Sequence, residues 1–154
     1  MHDVSPGPGE ELNPGAETVP RQAATVILMR GGADSLEVLL AQRNPAARFM
    51  GGAWVFPGGA VSATDGEGEP ALRAAAVREL QEEAGISLAS ADDLVVFSRW
   101  ITPAQVKIRY DTWFFLASAP PGAEPAIDGA EVVDARWLTP EAALDAARAE
   151  QILL

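Results

Sequence analysis

One short stretch of the chain concentrates the residue types that could do chemistry: Arg78, Glu79, Glu82 and Glu83. On a helix, at about 100° per residue, Glu82 lies about 60° to one side of Glu79 and Glu83 about 40° to the other, so the three carboxylates converge. Carboxylates at these spacings repel one another by about 0.2–0.5 kcal/mol per pair. A divalent cation would turn this repulsion into binding, because oxygen-rich clusters suit Mg²⁺ or Mn²⁺. The alternative is a solvated acidic helix face, the commoner explanation of such a pattern.

The composition excludes several other kinds of active site. The 154 residues include no Cys, so disulfides, thiol nucleophiles and Cys-ligated zinc sites are excluded. The single histidine, His2, lies near the N-terminus, which argues against a Ser-His-Asp triad. The net charge of −11 argues against nucleic acid and against an anionic membrane surface as partners. If the chain is an enzyme, carboxylates must do most of its work.

The chain is long enough for one domain with a sizeable core. Residues 1–20 are rich in Pro, Gly and acidic residues and have no apolar period, so we expect a disordered tail before a domain over residues 21–154. The tail lacks the basic start and apolar stretch of a signal peptide, and no apolar run approaches the about 18 residues of a membrane span. We therefore expect a soluble, cytoplasmic protein.

Strands mixed with two helices predict an α+β domain. The first helix is predicted to begin at Pro70 and to end at Gly85 in a left-handed turn. Its apolar residues recur every four positions and should pack on a sheet: Leu72, Ala76, Leu80 and Ala84, with Val77 beside them. Strands are predicted at residues 24–29, 36–42, 54–56, 94–100, 109–117 and 131–138, with a hairpin loop at residues 30–34.

The second helix is predicted to begin at Thr139-Pro140-Glu141 and to continue through residues 142–151. Thr139 is its N-cap, Pro140 lies in the first turn and Glu141 lies at the positive end of the helix dipole. The four aromatic residues Trp54, Phe56, Trp113 and Phe115 are more typical of a core than of a binding site.

The acidic helix also resembles part of a known motif. Together with the glycine turn Phe56-Pro57-Gly58-Gly59, it is similar to the Nudix hydrolase box, G-x5-E-x7-R-E-U-x-E-E-x-G-U with U aliphatic. The second half is complete over residues 78–86. In the first half, Gly59 and Arg78 are 78 − 59 = 19 positions apart, where the box has 14, so the loop carries five extra residues. The first glutamate of the box therefore has three candidate counterparts: Glu69, the nearest, Glu67 and Asp65.

The resemblance implies a Nudix fold, in which a mixed β-sheet is sandwiched between helices, and a box over residues 59–86. It implies an enzyme that cleaves a pyrophosphate linked to another moiety by attack of water on phosphorus. It also implies Mg²⁺ or Mn²⁺ as the cofactor and a set of site residues. The metal ligands would be Glu79, Glu82, Glu83 and the Gly59 carbonyl, with Arg78 orienting Glu79, the usual candidate for the general base.

A second stretch points to a substrate. Residues 39–59 resemble the coenzyme A pyrophosphatase motif LLTxR[SA]x3Rx3Gx3FPGG, with Ala41 in place of Thr and Asn44 in place of Ser or Ala. Residues 100–103 and 109–115 are similar to the branch that contains the peroxisomal coenzyme A diphosphatases. The resemblance implies that the substrate contacts Arg43, Arg48 and Gly58, the two arginines gripping the 3′-phosphate.

The sequence is also compatible with other substrates and with a non-catalytic function. The substrate could be another small nucleoside diphosphate derivative: ADP-ribose, a dinucleotide or a nucleotide sugar. The chain could also be a non-catalytic Nudix-fold binding or regulatory module, although retention of Arg78 and the three glutamates argues against it. A homodimer is compatible with the sequence. The chain ends in Gln-Ile-Leu-Leu without a peroxisomal address, and this apolar end is also compatible with a cut, because the related branch usually continues further.

Overall fold

The computed structural model describes residues 10–154, and residues 1–9, the first part of the expected tail, lie outside the described residues. Single-turn 3-10 helices cover Ala63–Asp65 and Ala91–Asp93. The main elements are, in chain order, β1 (Arg21–Arg30), β2 (Glu37–Arg43), β3 (Trp54–Val55), β4 (Gly58–Ala60), α1 (Gly68–Ala84), β5 (Val95–Ile101), β6 (Tyr110–Ser118), β7 (Val132–Leu138) and α2 (Pro140–Arg148).

The seven strands form one mixed sheet in the order β3-β2-β1-β6-β5, with β4 paired to β1 and β7 paired to β2. The long central pair β1–β6 is parallel, with Ala24 opposite Trp113. The β1–β2 pair is an antiparallel hairpin, as predicted. This arrangement places the β4 glycines beside the central strand of the sheet.

Strand β4 was not predicted, because Pro57, Gly58 and Gly59 are poor strand formers and indicate a stop. In the structure the chain turns at Pro57 and then pairs antiparallel with β1, so that Gly58 lies opposite Thr25 and Gly59 opposite Ala24. A backbone ladder with a long neighbouring strand thus overrides local propensity. This pairing fixes the position of the two glycines relative to the sheet.

The sheet separates two apolar clusters, and the expected α+β sandwich is confirmed. On one face, the predicted stripe of α1 packs against alternate residues of β1 and against Phe115. On the other face, Ala143 of α2 packs against Val38, Leu40 and Trp54. Among the residues that the structure describes, no helix combines the length and apolar character needed to cross a bilayer.

The helix ends follow the predicted capping residues with two differences, of which the first is that α1 begins at Gly68, two residues before the predicted Pro70. Gly85 ends α1 with a φ of 65°, in the left-handed region that favours glycine. The Thr139 hydroxyl accepts a hydrogen bond from the backbone N–H of Ala142 at 3.1 Å, as expected of an N-cap. However, α2 ends at Arg148, three residues before the predicted end, and Glu150 has a φ of 57°, which α-helix does not allow.

Residues 10–20, the described part of the expected tail, run along the loop between β5 and β6. Leu12 forms an isolated antiparallel bridge with Val106, and the backbone N–H of Asn13 donates to the carbonyl of Gln105 at 2.8 Å. The Arg109 guanidinium donates to Glu17 at 3.1 Å. The composition of the segment does not predict these contacts, because they depend on a loop nearly a hundred residues away in the sequence.

Candidate active site

The carboxylates of α1 meet the glycine turn at β4. Glu83 Oε2 accepts a hydrogen bond from the backbone N–H of Gly58 at 3.0 Å. Glu79 lies so close to Gly59 that a Cβ added there would stand 2.5 Å from Glu79 Oε1. At Gly58, an added Cβ would stand 2.5 Å from the backbone oxygen of Ala24. Glycine is therefore required at Gly58 by the backbone of β1, whereas a side chain at Gly59 would displace the Glu79 carboxylate.

Arg78 connects the helix to the loop that precedes it. Its guanidinium binds Asp65 through two hydrogen bonds, of 3.0 Å from Nε and 2.9 Å from Nη2. Nη1 donates to Glu79 Oε1 at 3.0 Å and to Glu82 Oε2 at 3.2 Å. Nη2 also reaches the carbonyl of Ala60 at 3.2 Å. One arginine thus fixes the orientation of Glu79 against β4.

Of the three candidates for the first acidic position of the box, Asp65 is the one that the contacts support. It lies 65 − 59 = 6 positions after Gly59, which is the spacing of G-x5-E, and it is the one of the three candidates that pairs with Arg78. Glu69 instead pairs with Arg73 at 3.1 Å on an exposed part of the helix. The five extra residues therefore lie between Asp65 and Arg78. Counting forward from Gly59 identifies Asp65 in the sequence, whereas counting back from Arg78 favours Glu69.

The site concentrates negative charge in a partly buried place. Burial is the main cause that raises the pKa of the Glu79 carboxyl, although the neighbouring Arg78 guanidinium opposes it. Burial likewise raises the pKa of Glu83 to about 7, against the hydrogen bond from Gly58. The negative charges of Glu79 and Glu131 raise it further, while Arg43 acts in the opposite direction. These carboxylates are short of compensating positive charge.

Glu131 is a member of this site that sequence analysis did not identify. It lies directly before β7, and it lines a cavity of about 370 Å³ together with Glu83 and Arg43. No motif spacing connects Glu131 to the helix, because the two come together only through the pairing of β7 with β2. The side chain of Glu131 is exposed, unlike that of Glu83.

The predicted metal ligands do not all point to one place. Glu79 and Glu83 face the Gly58–Gly59 turn, whereas the Glu82 side chain is 54% exposed and held by Arg78. Within residues 10–154, no three acidic or imidazole side chains meet in a preformed metal-binding cluster. Helical spacing predicted the convergence of three carboxylates, but it could not show that Arg78 competes for Glu82.

A cavity of about 460 Å³ opens beside the glycine turn, and of the two predicted substrate arginines only Arg43 lines it. Arg43 Nε donates to the carbonyl of Phe49 at 3.1 Å, which braces the loop between β2 and β3. Arg48 lies on the same loop but is exposed and outside the cavity wall. Gly58 and Gly59, which the α1 carboxylates approach, also line this cavity.

Comparison with known proteins identifies the family. The family model described as NUDIX domain matches residues 19–153. The chain belongs to the Nudix family. A Caenorhabditis elegans protein named as nudix hydrolase 7 is 32% identical over 170 residues, which cover 87% of this chain and 56% of that protein. The chain thus spans little more than half the length of this curated relative.

Solved Nudix structures have the same fold. The Nudix hydrolase from Alicyclobacillus acidocaldarius superposes with a TM-score of 0.76 at 27% identity, covering 88% of this chain and 86% of that one. A Caenorhabditis elegans Ap4A hydrolase in a binary complex superposes with a TM-score of 0.62 at 25% identity, covering 85% of this chain and 89% of that one. The segment predicted as the box, residues 59–86, runs in the structure from Gly59 on β4, through α1, to Ile86.

The bidentate pair between Asp65 and Arg78 leads to a first prediction. Asp65→Asn should lower the free energy of unfolding at pH 7 by about 1–3 kcal/mol, because a buried charge-assisted pair loses its acceptor charge. Arg78 lowers the pKa of Asp65 below its ordinary value of 3.8, so the stabilisation is present above that pH and is lost as the pH falls through the lower folded-state value. Urea unfolding at pH 7 and pH 3 measures both effects.

The matched control for this prediction is Glu69→Gln. It removes one carboxylate from the same segment, but from an exposed pair with Arg73, so it should cost less than about 0.5 kcal/mol. Equal losses for the two variants at pH 7, or a deficit of Asp65→Asn that does not shrink at pH 3, would contradict the role of Asp65.

Proposed function

We propose that this Nudix chain is a metal-dependent pyrophosphohydrolase that cleaves a small nucleoside diphosphate-linked substrate. The observation that carries the proposal is the placement of the Glu79 and Glu83 carboxylates against the Gly58–Gly59 turn, at the edge of a cavity. The two carboxylates are partly buried and have raised pKa values, and they lie next to glycine backbone that no side chain covers. This arrangement suits a site that receives a cation and a phosphate. A non-catalytic module would have little need of this arrangement.

The residues present fit a hard divalent cation, Mg²⁺ or Mn²⁺. The donors would be the carboxylates of Glu79, Glu82 and Glu83 and the carbonyl of Gly59, an all-oxygen set of the kind these ions prefer. For Glu82 to join the set, its carboxylate must leave the Arg78 guanidinium, 3.2 Å away. When bound, the ion would screen the phosphate charge and lower the pKa of a coordinated water molecule.

The chain's own residues would then divide the remaining work. Arg78 holds one oxygen of Glu79 and so fixes the direction in which this carboxylate can accept a proton. A water molecule attacks one phosphorus, its proton passes to Glu79, and the P–O bond to the bridging oxygen breaks. One pyrophosphate linkage and one water molecule thus give two phosphate monoesters. Burial raises the pKa of Glu79 toward the working pH, which suits a general base.

Coenzyme A or one of its thioesters is the substrate we favour. Hydrolysis would give adenosine 3′,5′-bisphosphate and 4′-phosphopantetheine or its acyl derivative. The support is the motif over residues 39–59 and the position of Arg43 in the wall of the cavity. Among the described residues Arg48 makes no hydrogen bond or ion pair, so its guanidinium is available to bind a 3′-phosphate.

A dinucleotide is the second candidate substrate. It is favoured by the similarity to the Caenorhabditis elegans structure that is named an Ap4A hydrolase. ADP-ribose and nucleotide sugars would use the same chemistry. A screen of hydrolysis over coenzyme A, Ap4A, ADP-ribose and nucleotide sugars, with products identified by mass spectrometry, tests the assignment.

Metal removal gives a second prediction. Turnover should cease in excess chelator and return with millimolar Mg²⁺ or Mn²⁺. In chelator, the free energy of unfolding should fall as the pH rises from about 4.5 to about 7, because the Glu83 carboxyl ionises earlier in the unfolded chain than in the folded chain. Adding Mg²⁺ at pH 8 should raise the melting temperature, since only the folded chain assembles the site.

Glu83→Gln is the control for the metal prediction. It removes the ionisable group, so the loss of stability between these pH values and the melting response to Mg²⁺ should both be reduced. Full turnover in excess chelator would rule out the metal mechanism, and an unchanged response of the variant would remove Glu83 from it.

The third prediction concerns the general base. Glu79→Gln should lower kcat by about 10²–10⁴-fold at saturating Mg²⁺, because it removes the proton acceptor while keeping the size of the side chain. Circular dichroism and melting should remain near those of the parent chain. Glu69→Gln, on the same helix but exposed, should leave kcat unchanged. A loss of less than about tenfold in Glu79→Gln would show that another group accepts the proton.

The fourth prediction concerns the 3′-phosphate. Coenzyme A should exceed dephospho-coenzyme A by about ten- to a hundredfold in kcat/KM. A phosphate bound by arginine contributes about 1.5–3 kcal/mol of binding free energy, and about 1.4 kcal/mol corresponds to a tenfold change. Arg48→Ala should erase much of this preference and spare substrates that lack the 3′-phosphate. Arg148→Ala, an exposed arginine at the end of α2, controls for the loss of charge. Equal kcat/KM values for the two substrates would refute the coenzyme A assignment and leave the reaction class intact.

A further inference from the structure

A second cavity, of about 620 Å³, lies on the face of the sheet that α2 covers. Its volume falls within the range of about 300–1,000 Å³ that is usual for small-molecule sites. No charged side chain lines it. Its largest apolar wall residues are Leu40, Trp54, Phe56, Phe114, Leu144 and Leu154. We call it the apolar cavity.

The apolar cavity adjoins the cavity at the glycine turn. The two share Thr25, Val55, Phe56 and Thr112 as wall residues. Thr25 stands opposite Gly58 in the β1–β4 ladder, and an added Cβ at Gly58 would lie 2.6 Å from Thr25 Oγ1. The Thr25 side chain therefore stands between the Gly58–Gly59 turn and the apolar cavity.

The wall chemistry distinguishes between the groups that could enter. Its polar side-chain groups are limited to the hydroxyls of Thr25 and Thr112 and the indole N–H of Trp54. A nucleobase or a sugar carries several donors and acceptors, and these would lose hydrogen bonds to water without finding partners here. An aliphatic group carries none, and its burial against apolar side chains is favourable.

We propose that the apolar cavity binds a flexible aliphatic group that is esterified to the pyrophosphate of the substrate, while the nucleoside lies elsewhere. The proposal rests on the proposed function and deepens it by assigning a place to the part of the substrate that is not a nucleotide. In the pantetheine arm of coenzyme A, the dimethyl-substituted carbon close to the pyrophosphate suits this site, whereas the hydroxyl and the two amides further along the arm must lie where water or other polar groups reach them.

The test uses simple probes: ADP esterified at its terminal phosphate with methyl, butyl or octyl alcohol. Each methylene that enters the apolar cavity should raise kcat/KM by about three- to fourfold (about 0.8 kcal/mol at 1.4 kcal/mol per decade), until the cavity is filled. The product nucleotide is AMP for every ester, so one assay follows the whole series.

Two glutamate substitutions on α2 form a matched pair. Leu144 lines the apolar cavity and is 49% exposed, so Leu144→Glu should fold normally and place a carboxylate in the wall. We expect it to lower kcat/KM for the octyl ester at least tenfold and to leave the methyl ester within about twofold. Ala142→Glu adds the same charge at an exposed position outside the wall and should change neither ester.

A binding measurement without turnover separates this inference from the proposed function. Octyl phosphate should change the tryptophan fluorescence of the parent chain through Trp54, and Leu144→Glu should weaken that binding at least tenfold. Equal kcat/KM for all esters, or octyl phosphate binding that Leu144→Glu does not weaken, would overturn the apolar site and leave the hydrolase intact. Failure to hydrolyse any ester, with octyl phosphate still bound in the apolar cavity, would overturn the proposed function alone.

Discussion

The pairing of Arg78 with Asp65 is the interaction on which the candidate site depends. The Arg78 guanidinium joins three parts of the chain: the loop before α1, the strand β4 through the Ala60 carbonyl, and the Glu79 carboxylate on the helix. Because both side chains are partly or wholly withdrawn from water, the two parallel hydrogen bonds are of the strong, directional kind. The Asp65–Arg78 pair closes the segment that carries the five extra residues.

The electrostatics of the site follow from how closely the helix approaches the sheet. Two adjacent glycines allow Glu79 and Glu83 to press against the backbone of β4, and this burial is what raises the pKa values of both carboxyls. Arg78 compensates Glu79, whereas Glu83 has a single backbone N–H donor and faces further negative charge from Glu131. A charge distribution of this kind costs folding energy and is typical of a site that binds a cation.

The central strand β1 serves both faces of the molecule through its alternation. Ala24, Val26 and Leu28 face α1 and form the core beneath the acidic site. Thr25 alternates with these residues along the strand and therefore lies on the opposite face, in the walls of both cavities. The period of two in a strand thus links the chemistry at the glycine turn to the apolar cavity under α2. A substrate with a phosphate at one end and an aliphatic group at the other matches this arrangement.

The sequence by itself determined the elements whose signals are local. The four-residue period of α1, the Thr139 cap and the apolar strands specify their own structure, and the motif over residues 78–86 predicts the family that the comparison confirms. Only the tertiary structure decided strand β4, the partner of Arg78, the orientation of Glu82 and the approach of Glu131. They depend on the pairing of the sheet and on the competition of Asp65, Glu79 and Glu82 for one guanidinium, neither of which local propensity encodes.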